Sequence, residues 1–239
     1  MTPQRSRLAI GSAVACAVLP AVLALAGCDA IGKLGAATHY PAAKSVTIDS
    51  RVTTVVIDSG SGSVDVTGTN RSTVGVSEQA SYSSKPPAPR QVLNGTTLTL
   101  SYGCATELSC SISYTVQVPR DVAVRVSSGA GAVTLTSLAG PVAAQTGYGL
   151  ITAVNLGSAQ VSLKSDAGGI IATCSAAPLS LAASTKVGAI TLTMPGSVAY
   201  KISTRTYVGT STVTVRKSAR SRYAINASSD LGSISISPA

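Results

Sequence analysis

Aliphatic and polar residues alternate along most of this chain, and the alternation returns at fixed distances from a series of glycines. Gly62, Gly131, Gly149, Gly168, Gly188, Gly209 and Gly232 mark the series. Two and four residues after each stand Val64/Val66, Val133/Leu135, Ile151/Ala153, Ile170/Ala172, Ile190/Leu192, Ser211/Val213 and Ile234/Ile236. Seven and five residues before each stand Val55/Ile57, Val124/Val126, Val142/Ala144, Val161/Leu163, Leu181/Ala183, Ile202/Thr204 and Ile225/Ala227. Only Ser211 and Thr204 interrupt these four small apolar columns. From Gly131 onward the glycines are 18, 19, 20, 21 and 23 residues apart. Period-2 pairs predict strands, and their return at a fixed repeat predicts stacked coils. The expected fold is all-β: a β-solenoid, parallel β-helix-like, with about 18–23 residues per coil. Each repeat is expected to add one rung beyond the last.

The stretch between the first coil and Val122 departs from the repeat. It holds Val74-Gly-Val-Ser, the proline-rich loop Lys85–Arg90, then Leu98–Tyr102 and Ile112–Val118, which alternate as half-buried strands do. This section is expected to wrap or cap the amino-terminal end of the stack, as open repeat arrays require. The chain thus divides into 1–27, 28–43 and a domain at 44–239, irregular over 44–120 and regular over 121–239.

Composition agrees with a narrow interior. Aromatics are 3% of residues, all of them Tyr, while 45% are hydrophobic and only 11% charged. Val, Ile, Leu and Ala fill a thin core without rings.

Arg5 and Arg7 precede an apolar run from Leu8 to Leu25, the pattern of an export signal. The run ends in Leu25-Ala26-Gly27-Cys28, which resembles the bacterial lipoprotein lipobox. The resemblance implies a diacylglyceryl thioether on Cys28, cleavage before it, and a membrane-anchored protein on the extracytoplasmic face. Asp29–Lys44 then reads as a tether. In an oxidising compartment Cys104 and Cys110, six residues apart, are expected to form a disulfide. Cys174 is expected to be a small buried residue, because no histidine accompanies it.

The formal charge of +9 falls to +7 when Arg5 and Arg7 leave with the leader. Arg216, Lys217, Arg220 and Arg222 form one cluster, expected to be a solvated loop between the last two coils. An anionic partner is the alternative reading.

Candidate chemistry is sparse. The one histidine, His39, lies in the tether, so no zinc site or Ser-His-Asp arrangement can be assembled, and no cofactor is expected. Asp166 and Asp230 each precede a coil glycine by two residues. Counted as three coils apart they lie about 14 Å from each other, too far for a glycosidase pair. Lys164, Lys186, Lys201 and Arg205 are the cations a lyase-like envelope polysaccharide-processing enzyme would need together on one face.

A non-catalytic array is more regular. Alternation turns Thr134, Thr136, Thr152, Thr173, Thr191, Thr193, Thr212 and Thr214 outward if the aliphatic columns turn inward. Stacking would place them in two hydroxyl-bearing rows about 4.8 Å apart along the axis, suited to docking on a carbohydrate lattice. Threonine is also simply favoured on exposed strands.

The segment Tyr114–Leu135 carries a family likeness. Its "V-x-V-P" strand leads into "V-x-V-x-S-x-x-G-x-V-x-L" coils and resembles the putative-adhesin family of bacterial β-solenoid domains, over roughly residues 44 to 239. The resemblance implies a surface-exposed, non-enzymatic protein that binds an envelope glycan or surface protein. A scaffold that spaces partners from the membrane is a further possibility, and no nucleic-acid partner is expected.

Overall fold

Every stretch of alternating aliphatic and polar residues after the tether forms a strand. A computed structural model describes residues 42–83, 85–104 and 110–239, all within the unit Ala36–Ala239. The export signal, Cys16, Cys28 and His39 lie outside the described residues. Among those described there are 19 strands and no helix, in one sheet of ten strands and one of nine.

The chain passes back and forth between the two sheets, and each passage makes one circuit. Strands β2 (Thr54–Ser61) and β3 (Val64–Thr69) are joined at Gly62. The same unit recurs as β8 (Ala123–Ala130) with β9 (Val133–Thr136), and as β10 (Val142–Tyr148) with β11 (Ile151–Leu156). It recurs again as β12 (Gln160–Ala167) with β13 (Ile170–Cys174), and as β14 (Ser180–Val187) with β15 (Ile190–Met194). The last two in the chain are β16 (Lys201–Val208) with β17 (Ser211–Val213), and β18 (Ala224–Leu231) with β19 (Ile234–Pro238). The strand before each glycine lies in the nine-stranded sheet, the strand after it in the ten-stranded sheet. Counterparts from neighbouring circuits pair in parallel.

Register places the four apolar columns directly over one another. Val124, Val142, Val161 and Leu181 align on one sheet, and Val133, Ile151, Ile170 and Ile190 on the other. All of them are buried between the sheets. Burying each such side chain contributes about 1.5–3 kcal/mol, so the columns are the main source of cohesion.

The order of the circuits departs from the order of the chain at both ends. Strand β18 lies between β14 and β16, and β19 between β15 and β17. The circuit around Gly209 is therefore terminal, and the later circuit around Gly232 is interior. The one-rung-per-repeat expectation fails there because the Gly209 circuit holds Thr204 and Ser211 in the columns. Their hydroxyls bond each other at 2.9 Å on a face left partly open to water.

At the other end, the stretch read as irregular conceals a further circuit. Strands β6 (Thr97–Gly103) and β7 (Cys110–Pro119) pair in parallel with β2 and β3, placing Leu98, Leu100, Tyr114 and Val116 in the four columns. This circuit lies outside the first one, and the Cys104–Cys110 disulfide links the end of β6 to the start of β7 where the other circuits have the glycine turn. Antiparallel strands finish that end: β4 (Val74–Tyr82) and β1 (Ala42–Ile48) on one sheet, β5 (Ala88–Asn94) on the other.

Candidate functional site

The turn edge is built from glycines and hydroxyls together. Gly168 has φ +148°, and a Cβ there would strike the carbonyl oxygen of Gly149 on the next circuit. Only glycine satisfies both the left-handed backbone and the close approach. Three residues before each glycine a Ser or Thr points inward. Thr146, Ser165, Thr185 and Ser229 donate to the carbonyls of Gly131, Gly149, Gly168 and Gly188 at 3.3, 3.1, 2.9 and 2.9 Å. Thr206 donates to Gly232 at 2.9 Å. Buried carbonyls need such partners, and the hydroxyls supply them without admitting water. The sequence reading did not single out this column. Its signal was present: Ser59, Ser128, Thr146, Ser165, Thr185, Thr206 and Ser229 all stand at the same offset. The alternation that turned the aliphatic columns inward turned these inward as well.

The predicted outward rows exist on the ten-stranded sheet, with interruptions. Asp65, Thr134, Thr152, Ile171, Thr191, Ser235 and Thr212 follow one another in register. Thr115 extends the row by one strand, so it runs about 34 Å across eight strands. The transposed circuits place Ser235 between Thr191 and Thr212. The second row is less continuous. Thr67, Thr136 and Val154 align, then register shifts between Ala153 and Leu156. Asn155 adopts φ +57° there, and its N–H donates to the Thr173 hydroxyl at 2.9 Å. Beyond the shift Thr173, Thr193 and Ser237 align. Thr214 lies just past β17, with its hydroxyl on the Ile236 carbonyl at 3.3 Å.

The outer face of the nine-stranded sheet is more charged. A shallow depression of about 410 Å³ lies over Ala143 and Ser162, bordered by Asp58, Arg125, Gln145 and Lys164. The four cations a lyase would need are not brought together. Strand β12 carries Lys164 and terminal β16 carries Arg205, three strand spacings or about 14 Å apart. Lys186 is paired with Asp166 at 3.1 Å. Asp166 and Asp230 are two strand spacings apart rather than three, because β18 lies directly beside β14. Lys186 stands between them in register. Among the described residues no group of His, Cys, Asp or Glu could hold a metal ion.

The remaining polar groups sit at the two ends. Near the antiparallel cap Glu78 is buried and accepts from Gln91 Nε2 at 2.9 Å. Burial first, and the Glu78 carboxylate second, raise the neighbouring Tyr114 hydroxyl well above the ordinary tyrosine range. Cys174 is buried, and burial pushes its thiol up to about 11, so it stays protonated and unreactive at neutral pH. Near the terminal circuit Tyr200 is buried, with its hydroxyl on the Pro195 carbonyl at 2.9 Å.

Comparison with solved structures finds similar proteins, one of them above the level at which a fold is shared. A putative cell adhesion protein from Clostridium sporogenes ATCC 15579 superposes with a TM-score of 0.53 at 13% identity, over 84% of this chain and 100% of that one. A putative adhesin from Bacteroides fragilis NCTC 9343 is similar at a TM-score of 0.43 and 13% identity, over 82% of this chain and 97% of that one. The first likeness shows a shared all-β fold. No family model and no curated protein matches the sequence.

Proposed function

We propose that this chain is a lipid-anchored β-solenoid of the bacterial cell surface. It acts as an adhesin or envelope-binding scaffold that presents its ten-stranded face and carries out no bond-making chemistry. The observation that carries this reading is the row of residues 115, 65, 134, 152, 171, 191, 235 and 212, held in register over about 34 Å. A parallel stack cannot shift one strand without breaking the core, so this face is rigid before any partner arrives. Preorganisation of that kind lowers the ordering cost of binding a regular polymer such as a glycan. The names given to the structural neighbours agree with a surface role, and the Leu25–Cys28 motif supplies an anchor at Cys28.

The test uses the mature chain bearing Cys28→Ser, incubated with intact cell envelopes. The native face is expected to retain envelope glycan. Thr134→Glu/Thr152→Glu/Thr191→Glu is expected to lose it while keeping the same melting temperature to within a few degrees. Retention by the triple variant would remove this face as the docking surface. Incorporation of a labelled fatty acid, and its loss in Cys28→Ala, tests the anchor separately.

A further inference from the structure

Cations and carboxylates are nearly balanced over most of the stack, but the terminal circuit and its two connections are one-sided. Residues 195–223 contain Lys201, Arg205, Arg216, Lys217, Arg220 and Arg222 and no Asp or Glu. Arg216, Lys217, Arg220 and Arg222 lie exposed in the connection between the last two circuits of the chain, as expected, and β16 adds Lys201 and Arg205. Because the chain runs out to the terminal circuit and then returns, all six cations gather at one end of the molecule. That end lies nine strand spacings, about 43 Å, from β1, where the described chain begins.

The segment is also fixed. The Tyr200 N–H donates to the Arg216 carbonyl, and the Ser218 N–H to the Tyr200 carbonyl, both at 2.9 Å. On the opposite side of the same strand start, the Lys201 N–H donates to the Tyr223 carbonyl at 2.8 Å. Residues 216–218 and 222–223 are thereby brought against Lys201 from two directions. The Arg216 guanidinium donates to the Gly196 carbonyl at 3.1 Å, and the Ser221 hydroxyl to Ala199 at 2.7 Å. Arginines are held on rings too: Arg205 lies 4.6 Å from the Tyr207 centroid, and Arg222 lies 4.9 Å from that of Tyr223.

We infer that this end of the stack is a preformed binding site for a linear polyanion, of the phosphate-bearing glycopolymer class found outside the membrane. Preset cations facing a chain of phosphates release its counterions on binding, which gives affinity without reading a sequence. Assigning the polymer to the envelope rests on the extracytoplasmic reading above; the polyanion site itself does not.

The probe is end-labelled inorganic polyphosphate, titrated into the mature Cys28→Ser chain at several salt concentrations. Binding is expected, with log affinity falling linearly against log salt. Lys217→Glu/Arg220→Glu is expected to weaken it at least about tenfold and flatten the salt slope. Lys85→Glu/Arg90→Glu makes the same charge change at the opposite end and is expected to shift affinity by less than about threefold. The threonine-face triple variant is expected to bind polyphosphate as the native chain does, which separates failure of this site from failure of that face. Should the first double variant lose its β-sheet circular dichroism, Lys201→Gln/Lys217→Gln reads the same site. Absence of native binding at physiological salt, equal losses in the two charge-reversal variants, or binding only to anionic phospholipid vesicles would each overturn the proposal.

Discussion

The circuits β16–β17 and β18–β19 adjoin in space and have the same plan, yet one is sealed and the other open. In β18–β19 the four columns are Ile225, Ala227, Ile234 and Ile236, none more than 3% exposed. In β16–β17 the same positions are Ile202, Thr204, Ser211 and Val213, all partly or fully exposed. A sealed position rewards aliphatic side chains, whereas an end position leaves one side of the circuit facing water, where a hydroxyl pair costs little. The difference teaches that column composition, not order along the chain, decides which circuit goes inside. The chain accepts two longer connections, residues 195–200 and 214–223, so that the more apolar of these two circuits is covered. Such connections are tolerated because loop closure cost grows only slowly with length.

Substitutions at matched positions sharpen the contrast. The largest effect is expected from Ile234→Asp, and equally from Ile190→Asp, which remove buried apolar area and leave an unpaired charge, together about 4–6 kcal/mol. Ser211→Asp, the matched change in the terminal circuit, is expected to cost under about 0.5 kcal/mol in denaturant unfolding. Equal losses at Ile234 and Ser211 would break the comparison. Next, Ile225→Ala is expected to cost about 3 kcal/mol and Ile202→Ala about 1 kcal/mol, by the same measurement. Between those two lies Ser229→Ala, about 1–2 kcal/mol, because it strands the Gly188 carbonyl inside the stack. Thr206→Ala, nearer the open end, is expected to lose about half of that.

A pH dependence confined to alkaline solution comes from Cys174. Burial raises the Cys174 thiol in the folded chain from 9.0 to about 11. The folded state thus holds its proton longer than the unfolded state does. Its contribution is complete below pH 9 and declines as pH climbs towards 11. A Cys174→Ala chain is expected to show a shallower loss of melting temperature across that alkaline window.

Much of this architecture was legible, and the failures have identifiable physical causes. The glycine series and its flanking columns specified which side chains face inward, since alternation leaves no choice once one pair is buried. The transposition was not anticipated, because rung order depends on long-range competition between circuits for the covered position. Thr204 and Ser211 nevertheless marked the end circuit in the sequence. The circuit of β6 and β7 was obscured because the Cys104–Cys110 disulfide stands where the others have the turn glycine, so no repeat spacing reveals it. The hydroxyl column was readable by offset, but small polar residues beside a turn glycine carry no signal that separates an inward donor from a solvated turn. Of the binding surfaces, the first threonine row followed from alternation alone. The break in the second row at Asn155 did not, since a register shift between parallel strands leaves no mark in residue pattern.

Cross-linking tests the rung order most directly. Ala182 on β14 is in register with Asn226 on β18, and Asn226 in turn with Ser203 on β16. In a Cys174→Ala background, Ala182→Cys/Asn226→Cys is expected to oxidise readily to a disulfide, since adjacent strands bring the Cα atoms to about 5 Å. Ala182→Cys/Ser203→Cys, two strands apart at about 10 Å, is expected to remain reduced. A disulfide in the second pair and none in the first would mean that the circuits follow chain order, and would contradict the account.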